Sequence, residues 1–250
     1  MTGVFHVGDN AYDDFMGRYS VRLAPPFADF VAVGEGDRVL DVGAGTGALA
    51  AELLRRGADV AAAEPSREFT DALRTRFPSL EVHEAPAEQL PFEDDVFDVA
   101  LAQLVVAFMA DAPAAMRELA RVARRVAICM WGVEEVEMFA AIGRTARAIG
   151  GGSQPDATRY RTSAELVALL EGAELQDVET AELDVTAPYT GYDDFWHALS
   201  GQVGPAGAWL KSLDDDRRAA AHDELFRQLG SPSAAFELSG RAYAAKATRA

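Results

Sequence analysis

The chain has 250 residues, of which 49% are hydrophobic and 25% are charged, and these proportions exclude general disorder. Its formal net charge of -17 repels nucleic-acid phosphates and anionic membrane surfaces, so we expect neither a nucleic-acid nor a membrane partner. The single cysteine, Cys129, cannot form an internal disulfide. Neither a signal peptide nor an apolar run of about 18 residues is visible, so we expect a cytoplasmic protein.

The first part of the chain alternates between short apolar runs and amphipathic segments. The runs predict strands at 38–42, 59–63, 80–83, 96–101 and 126–131. The amphipathic segments predict helices at 21–33, 48–56, 66–77 and 112–124. Short apolar strands that alternate with helices indicate a mostly parallel sheet with helices on both of its faces.

The alternation ends after Trp131. Further helices are predicted at 134–149, 163–171, 192–199 and 214–229, and further strands at 175–185 and 236–247. These two strands are suited to antiparallel pairing. The long connection between them carries helices of its own, which is typical of a cap over a binding site.

A glycine-rich turn follows the first strand, with glycines at 43, 45 and 47. Glycines between a strand and a helix let the backbone turn sharply and approach a ligand closely. Glu64 ends the second strand about 20 residues further on, where nucleotide-binding sheets place a carboxylate that accepts hydrogen bonds from the ribose hydroxyls. Each feature alone also fits a plain turn or a solvated strand end. Together they predict a nucleotide site.

The spacing of the glycines separates two nucleotide ligands. A dinucleotide usually needs G-x-G-x-x-G, whereas this loop reads G-x-G-x-G and has Ala48 at the last glycine position. Asp41 precedes the loop and is a poor neighbour for a pyrophosphate. S-adenosylmethionine carries a sulfonium and an ammonium and has no phosphate. The loop therefore favours this cofactor over NAD.

Several motifs in order carry a family resemblance. The chain resembles the class I S-adenosylmethionine-dependent methyltransferases, of the small-molecule type related to ubiquinone and menaquinone biosynthesis, at Val39–Gly47, Ala61–Ser66, Ala85–Phe92, Phe97–Ala100 and Val122–Trp131. This resemblance implies an α/β fold: a Rossmann-like seven-stranded, mostly parallel sheet with helices on both faces, an antiparallel last strand and a helical cap. We expect one domain over 1–250, with an N-terminal flap and helix at 1–36, a cofactor-binding core at 37–131, and the cap helices and last two strands at 132–250.

The resemblance also implies which residues hold the cofactor. Asp41 and the glycine loop would face its methionine part, Glu64 its ribose, residues 86–88 its adenine, and Gln103 its sulfonium end. The full set is Tyr19, Asp41, Gly43, Ala44, Gly45, Gly47, Glu64, Pro65, Pro86, Ala87, Glu88 and Gln103.

Three points qualify this set. Pro86 departs from the family pattern, which often has Asp or Asn there, so adenine recognition is expected to depend on the Ala87 backbone and Glu88. Residues 123–126 replace a frequent Pro-Gly-Gly turn, and we expect only a local change. Arg18 or Tyr19 of the N-terminal segment is expected to bind the cofactor carboxylate, the alternative being a surface helix whose aromatic side chains only pack.

The predicted function is in-line transfer of a methyl group to a small, hydrophobic acceptor, with no metal. A hydroxyl acceptor needs a general base, for which His6 and His197 are candidates, although neither is assigned. Aromatic and methionine side chains in segments expected around the acceptor suggest an apolar pocket, although such residues also form cores: Phe5, Phe15, Phe108, Met109, Trp131, Met138, Phe139, Phe195 and Trp196.

Other functions remain as alternatives. A protein of the same fold that binds S-adenosylmethionine without transferring a methyl group, such as a cyclase or a ligand-binding module, is the main one. An NAD-dependent dehydrogenase is disfavoured by the loop spacing. A nucleic-acid methyltransferase is disfavoured by the net charge and by the absence of an Asn-Pro-Pro-Tyr-type motif. The sequence does not determine the oligomeric state.

Overall fold

The sheet is the framework of the fold in the computed structural model, which describes residues 12–150, 159–201 and 204–249. Within these ranges seven strands form one sheet in the order β3-β2-β1-β4-β5-β7-β6. The strands are β1 Arg38–Val42, β2 Asp59–Glu64, β3 Glu81–Glu84, β4 Phe97–Gln103, β5 Ala123–Trp131, β6 Gln176–Tyr189 and β7 Phe236–Thr248.

Nine α-helices accompany the sheet within the described ranges. They are α1 Arg18–Val31, α2 Ala48–Arg55, α3 Arg67–Arg76, α4 Ala112–Val122, α5 Glu137–Ala148, α6 Ser163–Glu171, α7 Tyr192–Ser200, α8 Gly204–Ser212 and α9 Asp215–Gln228. A π-helical turn at Asp13–Gly17 precedes α1, and 3₁₀ turns lie at Val106–Phe108 and Val133–Glu135. None of the helices described is both long and apolar enough to cross a bilayer.

The predicted mostly parallel sheet is confirmed. Strands β3, β2, β1, β4 and β5 are parallel neighbours, and β7 pairs antiparallel with β5. The edge strand β6 carries acidic side chains that meet basic ones of β7: Arg241 Nε lies 2.7 Å from Asp184 Oδ1, and Lys246 Nζ lies 3.1 Å from Glu179 Oε2. The numbers rise on one strand as they fall on the other, so β6 and β7 are antiparallel, as predicted.

The chain divides into two compact units. The larger, here called the core unit, comprises Ser20–Trp131, Arg159–Leu183 and Ala242–Ala250, and the second unit comprises Met1–Tyr19, Gly132–Thr158 and Asp184–Arg241. In the core unit, Leu40 and Val42 belong to a buried apolar cluster that also contains Met116 and Leu166 from two helices. Because successive side chains of a strand point to opposite faces, Asp41 lies on the other face of the sheet.

An ion pair between Arg18 and Asp194 organises part of the second unit. The guanidinium donates to both carboxylate oxygens at 2.9 and 2.6 Å and lies over the Tyr189 ring, 4.9 Å from its centroid. The backbone N–H and the hydroxyl of Thr190 also donate to Asp194. The hydrogen bonds from Arg18 are the main reason why the pKa of Asp194 falls to about 2. Arg18 was a predicted partner of the cofactor carboxylate, but in the structure its guanidinium binds the Asp194 carboxylate.

Replacing Asp194 by Ala should lower the free energy of unfolding by about 2 kcal/mol at pH 7, because it leaves a half-buried guanidinium without its carboxylate. Since the pKa of Asp194 is depressed in the folded state, its contribution is complete above about pH 4 and is lost as the pH falls towards 2. Urea unfolding at pH 7 and pH 3 measures this. Asp193→Ala, an exposed neighbour on α7, is the control. Equal losses in the two variants would contradict the prediction.

Candidate functional site

The carboxyl ends of four parallel strands bring the predicted cofactor residues of the core unit to one edge of the sheet. Asp41 pairs with Ala62 on β2 and with Leu101 on β4, and Glu64 pairs with Glu84 on β3. Residues that pair laterally in a sheet point to the same face, and so do residues two apart on one strand. Asp41, Glu64 and Gln103 therefore project from the same face at the same edge.

The glycine loop has left-handed backbone at three positions. Gly43, Gly45 and Gly47 have φ angles of 71°, 55° and 88°. A Cβ on Gly43 would lie 2.9 Å from the Val105 side chain, and one on Gly47 would lie 2.6 Å from Phe77. In contrast, a Cβ on Gly45 would meet no described atom within 4 Å. Gly43 and Gly47 therefore allow Val105 and Phe77 to pack directly against the backbone. Gly45 leaves an open surface at which a ligand can approach the backbone.

Glu64 joins the glycine loop to the turn after β2. Its carboxylate accepts hydrogen bonds from the backbone N–H of Gly45 and from that of Ser66, both at 2.9 Å. Burial is the largest influence on its pKa and raises it, while the two N–H groups act in the opposite direction. Each oxygen keeps a lone pair, so this oriented carboxylate can also accept hydrogen bonds from two neighbouring hydroxyls.

Asp41 is an almost fully buried carboxylate at 1% exposure, and its Oδ2 has no hydrogen-bond partner among the described residues. Burial raises its pKa to about 7, the nearby charge of Glu64 adds to this, and a backbone hydrogen bond from Ala50 in the first turn of α2 opposes it. A buried carboxylate oxygen without a partner is costly. The arrangement therefore favours a ligand that brings a positive charge or a hydrogen-bond donor to this oxygen.

Gln103 presents a second acceptor oxygen. Its Nε2 donates to the backbone oxygen of Ser20 in α1 at 3.1 Å, which fixes the orientation of the amide. Its Oε1 is buried and has no partner among the described residues. The side chain is 9% exposed and ends β4. Sequence reasoning selected Gln103 but had no signal for Ser20, which lies far away in the chain.

The loop after β3 lies close to the end of β2, because the Ala85 backbone N–H donates a hydrogen bond to the Glu64 carbonyl oxygen at 3.2 Å. Pro86 is exposed and Ala87 is buried. Glu88 Oε1 accepts a hydrogen bond from the backbone N–H of Asp111 at 2.9 Å. Within the described ranges, Glu88 is thus already engaged in fixing the loop before α4, which sequence reasoning did not foresee.

The remaining predicted residues are divided between the two units, apart from one that is not described. Tyr19 belongs to the second unit and is fully buried; its pKa is raised, mainly by burial and then by the neighbouring Tyr189. His197 is exposed on α7, and His6 lies outside the described residues. Pro65, Ala44 and the three glycines belong to the core unit, as do Asp41, Glu64 and Gln103. Within the described ranges no group of three or more His, Cys, Asp or Glu side chains is arranged to hold a metal.

Part of the chain is similar in sequence to known methyltransferases. Residues 40–130 match the family model described as a methyltransferase domain. The chain is 35% identical over 143 residues to a demethylmenaquinone methyltransferase of Mycolicibacterium paratuberculosis, over 52% of this chain and 60% of that protein. The chain spans 41% to 60% of the length of the curated relatives that it matches. Their activities therefore do not transfer directly to this chain.

Solved structures share the fold with this chain. Among them, a [4+2]-cyclase, SpnF, has a TM-score of 0.59 at 21% identity, with 92% of this chain and 81% of that chain covered. A phosphoethanolamine N-methyltransferase of Haemonchus contortus, solved with S-adenosylhomocysteine, has a TM-score of 0.57 at 14% identity, with 96% and 56% covered. The predicted resemblance to class I S-adenosylmethionine-dependent methyltransferases is confirmed: residues 40–130 match the methyltransferase-domain model in sequence, and the chain shares its fold with these solved structures.

Proposed function

We propose that the chain is an S-adenosylmethionine-dependent methyltransferase that acts on a small, hydrophobic molecule. The observation that carries this proposal is the buried Asp41 carboxylate with an unpartnered Oδ2, beside a glycine loop whose open position, Gly45, is tied to Glu64. An anionic pyrophosphate at this loop would meet the carboxylate. A ligand with an ammonium and a ribose but no phosphate suits both acids.

Each part of the site has a role in this proposal. Asp41 and residues 43–47 hold the methionine part, Glu64 and Pro65 face the ribose, and the loop at 86–88 contacts the adenine. When bound, S-adenosylmethionine supplies an electrophilic methyl group on its sulfonium. The protein has to orient the acceptor in line with that group and exclude water.

The proposed acceptor is a small, hydrophobic molecule. A relative with 35% identity is named a demethylmenaquinone methyltransferase, which supports a small and hydrophobic acceptor for this chain. The alternative is a protein that binds the cofactor without methyl transfer, since a [4+2]-cyclase has the same fold.

The test is transfer of a tritiated methyl group from S-adenosylmethionine to a fractionated bacterial extract. We expect label in the small-molecule fraction. Label confined to protein or RNA would contradict a small-molecule acceptor. Binding of both S-adenosylmethionine and S-adenosylhomocysteine without any transfer would favour the alternative function.

The role of Glu64 can be measured without knowing the acceptor. Replacing Glu64 by Gln should raise the Kd for S-adenosylhomocysteine about tenfold to a hundredfold, because an amide is a weaker acceptor for ribose hydroxyls and one end of it cannot accept at all. Isothermal titration calorimetry at pH 7.5 measures this. Glu68→Gln, at an exposed position in the first turn of α3, is the matched control. An unchanged Kd for Glu64→Gln would remove Glu64 from the cofactor site.

A further inference from the structure

The loop after β3 is the part of the proposed site that would meet the base of the cofactor. In the proposed function, Glu64 on β2 faces the ribose and Asp41 on β1 faces the methionine part, and these strands are neighbours in the order β3-β2-β1. A ribose carries its base and its sulfonium arm at opposite ends, on C1′ and C5′. The base therefore lies on the side of β3, where the Ala85 N–H binds the Glu64 carbonyl oxygen at 3.2 Å.

A buried backbone N–H of this loop is left for a ligand. The Pro86 carbonyl oxygen accepts a hydrogen bond from the Gln89 N–H at 3.1 Å, which closes a turn with Ala87 and Glu88 at its centre. Ala87 is 8% exposed and belongs to the buried apolar cluster of the core unit. Its N–H donates to no atom within the described ranges. Buried N–H groups without a partner are rare, so this donor is suited to an acceptor nitrogen of the base.

The side chains of residues 86–88 are not arranged to accept a hydrogen bond from the exocyclic amine of adenine. Pro86 has no polar atom in its side chain. The Glu88 carboxylate is turned towards the start of α4, where its Oε1 accepts the Asp111 N–H at 2.9 Å. Pro86 and Gln89 are exposed, so an amine at this edge can keep hydrogen bonds to water. Removing the amine would then change the affinity little.

We propose that the site holds the base of the cofactor through a ring nitrogen at the Ala87 N–H and does not recognise its exocyclic amine. This inference rests on the proposed function and names the class of cofactor that the site accepts. The class consists of sulfonium nucleosides whose purine keeps N1 as an acceptor, with or without an amine at C6. A hypoxanthine base falls outside it, because its N1 carries a hydrogen and would place a donor against the Ala87 N–H.

Three analogues of the demethylated cofactor test this in the wild-type protein by calorimetry at pH 7.5. S-adenosylhomocysteine has the amine, its purine analogue lacks the amine but keeps N1 as an acceptor, and S-inosylhomocysteine carries a hydrogen on N1. We expect the first two Kd values to agree within about threefold. S-inosylhomocysteine should bind at least about tenfold more weakly, because two donors face each other.

Pro86→Asn is the matched variant, because it adds a side-chain acceptor beside the same Ala87 N–H. It should bind S-adenosylhomocysteine more than about threefold more tightly than the purine analogue. Pro86→Ala removes the ring without adding an acceptor, and it should bind both analogues alike. The measurement on the wild type stands alone if these variants do not fold.

The inference would be overturned by a wild-type preference for the amine of more than about threefold, since a side chain such as Glu88 would then read it. Binding of S-inosylhomocysteine within about tenfold of S-adenosylhomocysteine would also overturn it, and so would a folded Pro86→Asn variant without the new preference. If S-adenosylhomocysteine does not bind to the wild type at all, the proposed function itself fails.

Discussion

Replacing Asp41 by Asn should stabilise the ligand-free protein by about 4 kcal/mol at pH 8, since a buried charge is replaced by a neutral amide of similar shape. The pKa of Asp41 is raised in the folded state from 3.8 to about 7. The folded protein therefore holds a proton that the unfolded chain releases. The contribution of Asp41 to the free energy of unfolding is therefore most favourable below about pH 4 and declines as the pH rises to about 7. The variant shows no such decline.

Urea unfolding of both proteins between pH 5 and pH 8 measures this difference. We expect the gap between the two free energies of unfolding to widen with pH and to become constant above about pH 7. Glu93→Gln, at an exposed position, is the control variant. A destabilised Asp41→Asn variant at pH 8 would mean that the carboxylate gains more from the Ala50 N–H than it loses by burial.

The same substitution should have the opposite effect on cofactor binding. If Asp41 meets the ammonium of the ligand, Asp41→Asn should weaken the binding of S-adenosylhomocysteine at least tenfold at pH 8. For the wild type, affinity should fall as the pH drops below about 7, by up to about tenfold per pH unit, because the protonated acid must lose its proton before it binds a cation. Calorimetry between pH 5.5 and pH 8 tests this, and a flat profile would contradict it.

Substitution of Gly47 by Ala should be the most destabilising change in the glycine loop, by about 3 kcal/mol. The added Cβ would lie 2.6 Å from Phe77 Cε2 and 2.8 Å from Leu73 Cδ2, and the residue has a φ of 88°. Leu73 is buried in α3, and Phe77, the residue at the C-terminal cap of α3, is half-buried. Both side chains therefore have little room to move.

Gly45→Ala provides the matched comparison, because its Cβ meets no described atom and only the φ of 55° opposes it. We expect a loss of about 1 kcal/mol in stability together with at least tenfold weaker binding of S-adenosylhomocysteine. Thermal unfolding and calorimetry on both variants separate the two effects. If Gly45→Ala bound the ligand normally, the open position would not be part of the cofactor site.

Much of the fold follows from local pattern. The strand at 38–42 and the helix at 163–171 have the predicted bounds, because a short apolar run between turn residues and a capping box at Thr162 mark them clearly. Helix α8, Gly204–Ser212, was not predicted, because its sequence contains two glycines and a proline. Strand β6 continues past the predicted end at 185 to Tyr189, through a proline that an edge strand tolerates.

Some residues of the site can be selected from the local sequence, whereas the contacts of others depend on the tertiary fold. Asp41 and Glu64 can be selected from the sequence because a glycine loop and a strand end mark their positions. The departure at 123–126 is a local change, as expected: α4 ends at Val122 and β5 begins directly at Ala123. Neither the engagement of Glu88 with the Asp111 N–H nor that of Gln103 with Ser20 follows from spacing, since these contacts join elements that only the tertiary fold brings together.

The acidic edge strand β6 has a consequence for how copies of the chain behave towards each other. An edge strand exposes backbone donors and acceptors to which a second strand can add, and charged side chains and proline discourage such addition. In β6, Glu179 and Asp184 are ion-paired with Lys246 and Arg241 of β7, and Pro188 lacks an N–H. A second strand that adds to this edge would have to desolvate these ion pairs and would find no donor at Pro188. The paired charges and the proline therefore protect this edge from strand addition, without any need for repulsion between like charges.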